Sequence, residues 1–350
     1  MKIGNLKQLF DPHIVIRAAG PSGCSAAIWA AKLGLNVTII ESYKNPGENK
    51  TGETLHPSIE VLFDKLGISN EIKNNSFIRH TGIHVKWNCI SKFIPYGRDE
   101  DDHWKGYQIS RSRLDNILLE QAKNLGVNIL QPCFVSNIIV NNKNTVCINT
   151  TMGIIKCNFI IDASGSSHWL AKRLKLNIEK YSPTLIAYYG YFRGNYNRHE
   201  LPLLQATDNG WLWIANIDKD LYQWTELNFT KKVMPNISYS KEIIDCNHLT
   251  PIKGADVTWR KVNQLANLGF FIGDAALVLD PSSSHGIIRG IISGIQVSHL
   301  IHEICNNEIS LSDASYHYNN WMSNWFFHDL NKLREFYTQY HPNPPSWLQN

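Results

Sequence analysis

The sequence predicts an α/β fold in which a Rossmann-like domain carries an inserted antiparallel β-sheet domain and is followed by C-terminal helices. Three observations predict it. A strand, an Ala-rich helix and a second strand follow one another over residues 13–41. A second strand-and-helix run lies far along the chain, at 269–301. Between them the pattern changes to long β segments at 184–193, 211–217 and 221–229. Nucleotide-type elements at both ends of the chain therefore predict a domain that is discontinuous in sequence.

The predicted domain boundaries follow these changes of pattern. The nucleotide-binding domain is expected to comprise residues 1–75, 106–182 and 251–310, the β-rich substrate domain 76–105 and 183–250, and an aromatic helical tail 311–350. Residues 231–248 are weakly patterned. A cleft between the β-rich insert and the nucleotide half is where a substrate would meet a cofactor.

Composition narrows the function classes. The 350 residues are 43% hydrophobic and 18% charged, and the net charge of +4 comes without the long Lys/Arg run that a nucleic-acid arm would need. No apolar run reaches membrane-spanning length and no secretory signal is recognised, so a cytoplasmic protein is predicted. The seven cysteines form neither a Cys-x-x-Cys motif nor a zinc spacing, which predicts free thiols and no metal site.

The first cofactor element is the pattern Ala18-x-Gly20-x-x-Gly23 after the first strand. Glu41 ends the second strand about twenty residues on, where the dinucleotide fingerprint places a carboxylate on ribose hydroxyls. Ala18 stands where the fingerprint has its first glycine. Alanine tolerates the turn if its φ is negative, so nucleotide binding that is weakened but retained is expected.

The second cofactor element is the run from Gly273 to Gly294, which reads GDAALVLDPSSSHGIIRGIISG. Asp274 follows an apolar strand, Pro281 lies in a turn, and a helix is predicted to begin at Gly286. An acid can accept hydrogen bonds from a sugar or ribityl hydroxyl. The free N–H groups of a helix start can face a ring that becomes negative on reduction. The two elements together predict an FAD enzyme.

The motifs taken together resemble the FAD-dependent monooxygenase superfamily, which has the para-hydroxybenzoate-hydroxylase-like fold. They lie at Ala18–Gly23, Gly52–Pro57, Arg111–Asp115, Asp162–Gly165 and Gly273–Gly294. The likeness is greatest to the branch of flavin-dependent halogenases and of the flavoproteins that hydroxylate a Trp side chain of a partner protein during tryptophylquinone maturation. Asp280-Pro281-Ser282-Ser283-Ser284-His285-Gly286-Ile287 is similar to that branch's Asp-Pro-Leu-Ser-Ser-Gln-Gly-Ile.

This resemblance implies FAD as the cofactor and assigns residues to its parts. Around the ADP half it implies Ala18, Gly20, Gly23 and Glu41, with Arg111 near the phosphate or ribose edge. Around the flavin half it implies Asp274 at the ribityl or pyrophosphate, the backbone N–H groups of Gly286 and Ile287 at the pyrimidine, Pro281 beside the ring face, and Gly52 and Glu53 approaching the isoalloxazine.

Three titratable residues in the flavin-proximal motifs are candidates for catalysis: Glu53, His56 and His285. His285 replaces the branch's usual Gln, so it either tunes the flavin or donates to the substrate, unless it is a hydrogen-bonded structural histidine. His56 precedes Pro57 at a helix start, where a capping role is favoured. Glu53 can accept from backbone N–H groups, a structural role that leaves it ionised.

The resemblance implies a monooxygenase that hydroxylates an aromatic, indole- or Trp-like group through a flavin C4a-hydroperoxide, on a small molecule, a peptide or a partner protein. Halogenation is the first alternative. Trp211-x-Trp213 matches only part of the halogenases' Trp-x-Trp-x-Ile-Pro, and Arg79 stands near their essential Lys. Arginine stays protonated, so it does not readily replace that amine.

The sequence leaves two further alternative functions open and predicts one partner protein. One alternative is a flavin-linked ene reductase of the geranylgeranyl type. The other is a non-catalytic scaffold, for which Arg17 and Ala18 are the argument. Since no second dinucleotide fingerprint is present, a separate flavin reductase is expected to supply the electrons.

Overall fold

The computed structural model describes residues 13–45, 47, 50–87, 90–100, 102–141, 145–194, 201–230, 247–248, 251–266, 269–341 and 343–348. Of the weakly patterned stretch 231–248, residues 231–246 lie outside these ranges. The helices are α1 (Pro21–Lys32), α2 (Ile59–Leu66), α3 (Ser69–Asn74), α4 (Arg111–Asn124), α5 (Trp169–Arg173), α6 (Gly286–Cys305) and α7 (Leu311–Tyr340).

A five-stranded parallel sheet forms the centre of the nucleotide half. Its strands are β1 (His13–Arg17), β2 (Asn36–Ile40), β8 (Asn128–Leu130), β12 (Phe159–Asp162) and β21 (Phe270–Phe271), in the order β21-β12-β1-β2-β8. Ile14, Val15 and Ile16 of the central strand are fully buried, as expected for parallel strands covered on both faces. The predicted α/β fold class with a Rossmann-like sheet is confirmed.

A larger sheet of eight strands is built mainly from the segments between the two cofactor elements. Its main path runs β18-β14-β17-β16-β15-β5-β6, and β19 also pairs with β14. These strands are β5 (Gly82–Trp87), β6 (Ile90–Pro95), β14 (Ile186–Arg193), β15 (Leu203–Thr207), β16 (Gly210–Asp218), β17 (Leu221–Asn228), β18 (Asn247–His248) and β19 (Lys253–Asp256). All pairs are antiparallel except β15 with β5. Trp211 and Trp213 are buried in β16 and pack the sheet.

Three small sheets connect these bodies. The first contains β3 (Gly52–Leu55), β7 (Gly106–Ser110) and β4 (Ile78–His80), and the second contains β9 (Val135–Asn141), β10 (Thr145–Thr150) and β11 (Gly153–Cys157). The third contains β13 (Ile178–Lys180), β20 (Arg260–Val262) and β22 (Leu277–Val278). The first matters most for the site because β3 carries Glu53.

The sequence pattern predicts one continuous helix over residues 54–66, and the structure departs from this prediction. Residues Gly52–Leu55 form a strand that pairs with β7, and the helix begins only at Ile59. The residue before a proline is disfavoured in helical conformation, so His56-Pro57 separates the two elements. The prediction was therefore wrong at its first residues: Thr54 and Leu55 belong to the strand that carries Glu53, and His56 lies on the link that follows it.

The two cofactor elements meet where α1 packs on α6. A side chain at Gly273 or Gly290 would overlap the hydroxyl of Ser22. A Cβ at Gly294 would lie 2.8 Å from the Ser22 carbonyl oxygen and from the Ser25 hydroxyl. Glycines at these positions let the helices approach closely, which brings the starts of both helices to one side of the parallel sheet.

None of the helices in the described ranges combines the length and the apolar character needed to cross a membrane. Five cysteines within those ranges are free: Cys24, Cys133, Cys147, Cys157 and Cys305. A cytoplasmic location stays a prediction.

Candidate functional site

The turn after β1 is fastened to the end of β2 by a buried carboxylate. Glu41, 4% exposed, accepts hydrogen bonds from the backbone N–H of Ala19 at 2.7 Å and of Tyr43 at 2.7 Å. The Ala18 N–H donates to the Ile40 carbonyl at 2.8 Å. Glu41 thus shapes the turn, and its carboxylate lies where the fingerprint places a ribose.

Ala18 adopts a conformation that glycine favours. Its φ is +83°, whereas negative φ was the condition under which alanine would tolerate this turn, and that expectation is wrong. A Cβ at Gly23 would overlap the Ala18 carbonyl oxygen, so the turn is closely packed against α1. Ala18 therefore retains the backbone path of the missing glycine at a cost in strain.

The backbone at the two helix starts is open enough to receive a cofactor. A Cβ at Gly20 would meet only the Arg111 guanidinium, at 3.5 Å, and a Cβ at Gly286 would meet no atom within 4 Å among the described residues. Gly20 is the N-cap of α1 and makes no side-chain cap. The first amides of a helix lack intrahelical acceptors and bind anions well. These residues fit FAD.

Arg111 links the first cofactor element to β3. Its Nε donates to Asp115 at 2.8 Å and its Nη1 donates to Glu53 at 2.9 Å. Burial opposes the charge, but the two carboxylates outweigh it and raise the pKa of the Arg111 guanidinium. Arg111 is therefore a fixed cation beside Gly20, the position at which a phosphate is expected. Asp115, 2% exposed, was not singled out from the sequence, although its i, i+4 spacing from Arg111 pointed to it.

The start of α6 is built by a capped turn. Asp280 accepts from the Ser282 N–H at 2.9 Å, and the Ser282 hydroxyl is 2.7 Å from the Tyr337 hydroxyl on α7. Burial raises the pKa of the Asp280 carboxyl. Pro281 is exposed at this turn, and His285 is the N-cap residue of α6 without a side-chain cap. The turn leaves the imidazole of His285 half exposed rather than folded back on the helix.

Asp274 lies in the turn after β21 and is half exposed, with Arg289 of α6 behind it. The Arg289 Nη2 is 3.8 Å from Asp274 Oδ1, and its Nη1 is 3.8 Å from Asp329 Oδ2 on α7. Arg289 is only 3% exposed. Sequence reasoning passed over Arg289 and Asp329. Arg289 belongs to the run from Gly273 to Gly294, whereas nothing in the pattern of α7 singles out Asp329.

Electrostatic interactions link residues from several of the distant motifs. Partial burial of the Glu53 side chain raises the pKa of its carboxyl; Arg111 opposes this, and Asp115 and Asp274 add to it. His56 has its pKa lowered by burial and by His285. Residues of β3, α4, the β21 turn and α6 are therefore close enough to influence one another.

His56 also has a local structural partner. Its Nδ1 accepts from the Ser58 N–H at 3.2 Å and lies 3.0 Å from the Ser58 hydroxyl. The ring makes an edge contact with Tyr96, with ring centroids 4.8 Å apart. This pairing at the start of α2 agrees with the capping role favoured from the sequence.

The Arg79 side chain has a structural role. It donates to the carbonyls of Gly106 at 3.0 Å and Lys105 at 2.6 Å, pairs with Glu60 at 2.6 Å, and stacks on Tyr107 with its guanidinium 3.7 Å from the ring centroid. Next to it a cavity of about 480 Å³ opens between the small β3-β7-β4 sheet and the large sheet. Its lining residues are Ile78, Arg79, His80, Gln108, Leu201, Pro202, Asn216, Asp218 and Lys219.

Comparison with known proteins agrees with this geometry. The family model FAD_binding_3, described as FAD binding domain, matches residues 13–192. The 1H-pyrrole-2-carbonyl-(peptidyl-carrier protein) chlorinase of Pseudomonas fluorescens is 24% identical, over 90% of this chain and 82% of its own length. The tryptophan 2-halogenase of Chondromyces crocatus is 22% identical, over 93% of this chain and 69% of its own length. The crystal structure of CmlS, a flavin-dependent halogenase, superposes with a TM-score of 0.85 at 19% identity, covering 97% of this chain and 67% of that one.

The fold and the site define a flavoprotein of the dinucleotide-binding α/β class. The family match covers just over half of the 350 residues, so the chain belongs to the FAD-binding-domain family. Its cofactor is FAD, and it is an FAD-dependent oxidoreductase-type enzyme related to halogenases. The predicted cofactor, superfamily and branch are confirmed, whereas hydroxylation of an indole is not shown.

Proposed function

We propose that the protein is an FAD-dependent halogenase that acts on an electron-rich aromatic group such as an indole or a pyrrole. The observation that supports this is the close packing of α1 against α6 at Ser22 and Gly290, in a chain whose halogenase relatives align over 90% and 93% of its length. Halogenation thus replaces hydroxylation as the favoured reaction.

FAD would be held by residues of the two cofactor elements and by Arg111. The open backbone at Gly20 and the Arg111 guanidinium suit the pyrophosphate, and Glu41 suits ribose hydroxyls. Asp274 suits the ribityl chain, and the first amides of α6, at Gly286 and Ile287, suit the negative ring. When bound and reduced, FAD supplies the electrons with which dioxygen is activated.

The protein's own residues have three tasks. The first turn of α6 favours negative charge at the ring edge. Glu53 pairs with Arg111, and this ion pair ties β3 to α4 at one side of the site. His56 and His285 are the titratable groups positioned to hold or move a proton, and burial lowers the pKa of both imidazoles.

Hydroxylation of the same aromatic group is the second candidate, and Arg79 favours it. The halogenases' essential amine has no equivalent there, because the guanidinium is already bound to Glu60, Lys105 and Gly106. A hydroxylase of an indole borne by a small molecule, a peptide or a partner protein needs no such amine. A separate flavin reductase stays part of both proposals.

The two candidates are separated by the atom transferred. The purified protein would be supplied with FAD, a flavin reductase, NADH and dioxygen, and offered L-tryptophan, indole or a pyrrole-2-carboxylate in parallel reactions with bromide, with chloride or without halide. Halogenation predicts a product that appears only with halide and carries the two-isotope mass pattern of bromine in the bromide reaction. Hydroxylation predicts a halide-independent product that gains one labelled oxygen from ¹⁸O₂.

The remaining alternatives make different predictions in the same experiment. A non-catalytic scaffold would be colourless after purification and would not bind added FAD. An ene reductase would be active without dioxygen on a prenyl substrate and inactive on all the aromatic compounds. Either result would contradict the proposed function.

A further inference from the structure

A partly buried charged cluster lies behind the start of α6. It consists of His285, Arg289 and Asp329, with Asp274 at its edge. Asp329 Oδ2 lies 4.0 Å from His285 Nδ1 and 3.8 Å from Arg289 Nη1, so one carboxylate oxygen faces both groups. Asp329 is 13% exposed and Arg289 3% exposed, whereas His285 is 49% exposed. His285 is therefore the most exposed of these three side chains.

The cluster is incompletely paired within the described part of the chain. Asp329 Oδ2 and Arg289 Nε are buried atoms without a hydrogen-bond partner there. Burying a polar atom without a hydrogen-bond partner costs free energy, and the packing of the two helices does not by itself require polar atoms at these positions. A structural ion pair would be expected to close to hydrogen-bond distance, whereas here a single oxygen is shared between a cation and an imidazole.

We propose that Asp329 is a positioning residue whose negative charge, 4.0 Å from Nδ1 of His285, orients the imidazole so that Nε2 is the proton-accepting atom at the start of α6, and that Arg289 supplies the counter-charge of Asp329. An imidazole whose Nδ1–H is directed at a carboxylate carries its free lone pair on Nε2. A carboxylate in this place both orients the ring and stabilises the imidazolium that forms when Nε2 takes a proton.

This inference deepens the proposed function and rests on it for the step itself. When the new carbon–halogen bond forms from a ring electron pair, the same ring carbon must release a proton. The electron pair of the broken C–H bond stays in the ring and restores aromaticity, and the proton goes to His285 Nε2. Dioxygen and reduced FAD together oxidise the halide by two electrons to hypohalous acid. Its oxygen–halogen bond breaks as the carbon–halogen bond forms, and the oxygen leaves as hydroxide, which takes up a proton to become water.

The charged groups facing His285 set its titration. They are Asp329 on α7, Arg289 on α6 and His56 on the link after β3. Burial lowers the pKa of His285; Asp329 opposes this and Arg289 adds to it. Removing Asp329 should therefore lower the pKa of His285 further, and removing Arg289 should raise it.

Opposite shifts in two variants provide the test. The His285 signal would be followed by ¹⁵N NMR titration of the FAD-loaded protein, with the spectrum of His285→Gln used for assignment. We expect Asp329→Asn to move the His285 titration, and the acid limb of the kcat–pH profile, to lower pH, and Arg289→Gln to move both to higher pH. Loss of kcat should be about 100-fold in His285→Gln and about tenfold in Asp329→Asn, with KM little changed.

Glu335→Gln is the matched control because it removes an exposed carboxylate, 66% exposed, from the same helix. It should leave the titration and kcat unchanged. A His285 pKa that does not move in Asp329→Asn overturns the proposal, and if that variant does not fold, an unmoved pKa in Arg289→Gln does so. The NMR shifts do not depend on which product forms, so a failure to halogenate would contradict the proposed function and leave the His285–Asp329 pair to be decided by the titration.

Discussion

The hydroxyl of Ser22 occupies the space that a side chain at Gly290 would need, so α1 and α6 meet there without room for one methyl group. We expect Gly290→Ala to lower the free energy of unfolding by up to about 2 kcal/mol, which is an overpacking cost of about 1–3 kcal/mol less the roughly 1 kcal/mol of helix propensity that alanine gains. FAD affinity should fall as well, since the same contact sets the distance between the two cofactor elements. Urea unfolding and titration of FAD fluorescence measure the two effects.

The partner substitution makes this prediction specific. Ser22→Ala removes the overlapping hydroxyl and should cost little by itself. In the double variant, Ser22→Ala should restore most of the stability lost in Gly290→Ala. We expect an interaction energy between the two substitutions of about 0.5 kcal/mol or more, as found for residues in contact. If the two changes were simply additive, the contact between the helices would not be the cause.

Ala18 gives the second prediction, because it is a non-glycine residue at φ +83°. Such conformations cost about 1–3 kcal/mol, while glycine adds about 0.4–1 kcal/mol of unfolded-state entropy. Ala18→Gly should therefore raise the stability by about 1 kcal/mol and bind FAD more tightly. Thermal unfolding with and without FAD measures it. Ala31→Gly, in α1, is the control and should destabilise; a loss of stability in Ala18→Gly as well would show that the turn is unstrained.

Local rules made the two cofactor elements and their helices predictable from the sequence. The strand–turn–helix pattern and the helix from Gly286 needed only periodicity and glycine spacing. The conformation of Ala18 was missed because it is imposed by the tight packing of its carbonyl against Gly23, which no propensity describes. The strand Gly52–Leu55 was missed because its partner, β7, lies about fifty residues away in sequence and outweighs local helical pattern.

The charged groups of the site show the same limit. Arg111 and Glu53 were predicted from motifs. The ion pairs that join Glu53 and Asp115 through the Arg111 guanidinium could not be predicted, because they form only when β3 and α4 are adjacent. Asp329 had no signal at all, since an acidic residue on an amphipathic helix is ordinarily solvated. Only the packing of α7 against the start of α6 places it beside His285 and Arg289.

Substitutions at Gly20 and Gly23 should distinguish an effect on cofactor binding from an effect on folding. A methyl at Gly20 would approach only the end of the Arg111 side chain, at 3.5 Å, so Gly20→Ala should leave unfolding nearly unchanged. It should nevertheless weaken FAD at least tenfold, about 1.4 kcal/mol, because the pyrophosphate must approach that backbone. Gly23→Ala should instead destabilise the apoprotein, since its Cβ overlaps the Ala18 carbonyl. Equal FAD affinity in Gly20→Ala and the unmodified protein would place the pyrophosphate elsewhere.

Arg111 provides a prediction about pH. Burial raises the pKa values of Glu53 and Asp115, and Arg111 opposes both shifts. Arg111→Gln removes that opposition, so both carboxyls should hold their protons to higher pH in the folded chain than in the unfolded one. The folded state then binds more protons, and the free energy of unfolding must fall as pH rises from the ordinary carboxyl range through the raised values.

The variant should therefore be closest to the unmodified protein in acid and lose about 2–4 kcal/mol at neutral pH, where two buried carboxylates lack their cation. Urea unfolding at a series of pH values measures the slope. Arg113→Gln, an exposed change two residues along α4, is the control and should be flat relative to the unmodified protein. A pH-independent loss in Arg111→Gln would mean that hydrogen bonding and packing, rather than charge, are what Arg111 contributes, and its assignment as the fixed cation beside the phosphate site would then fail.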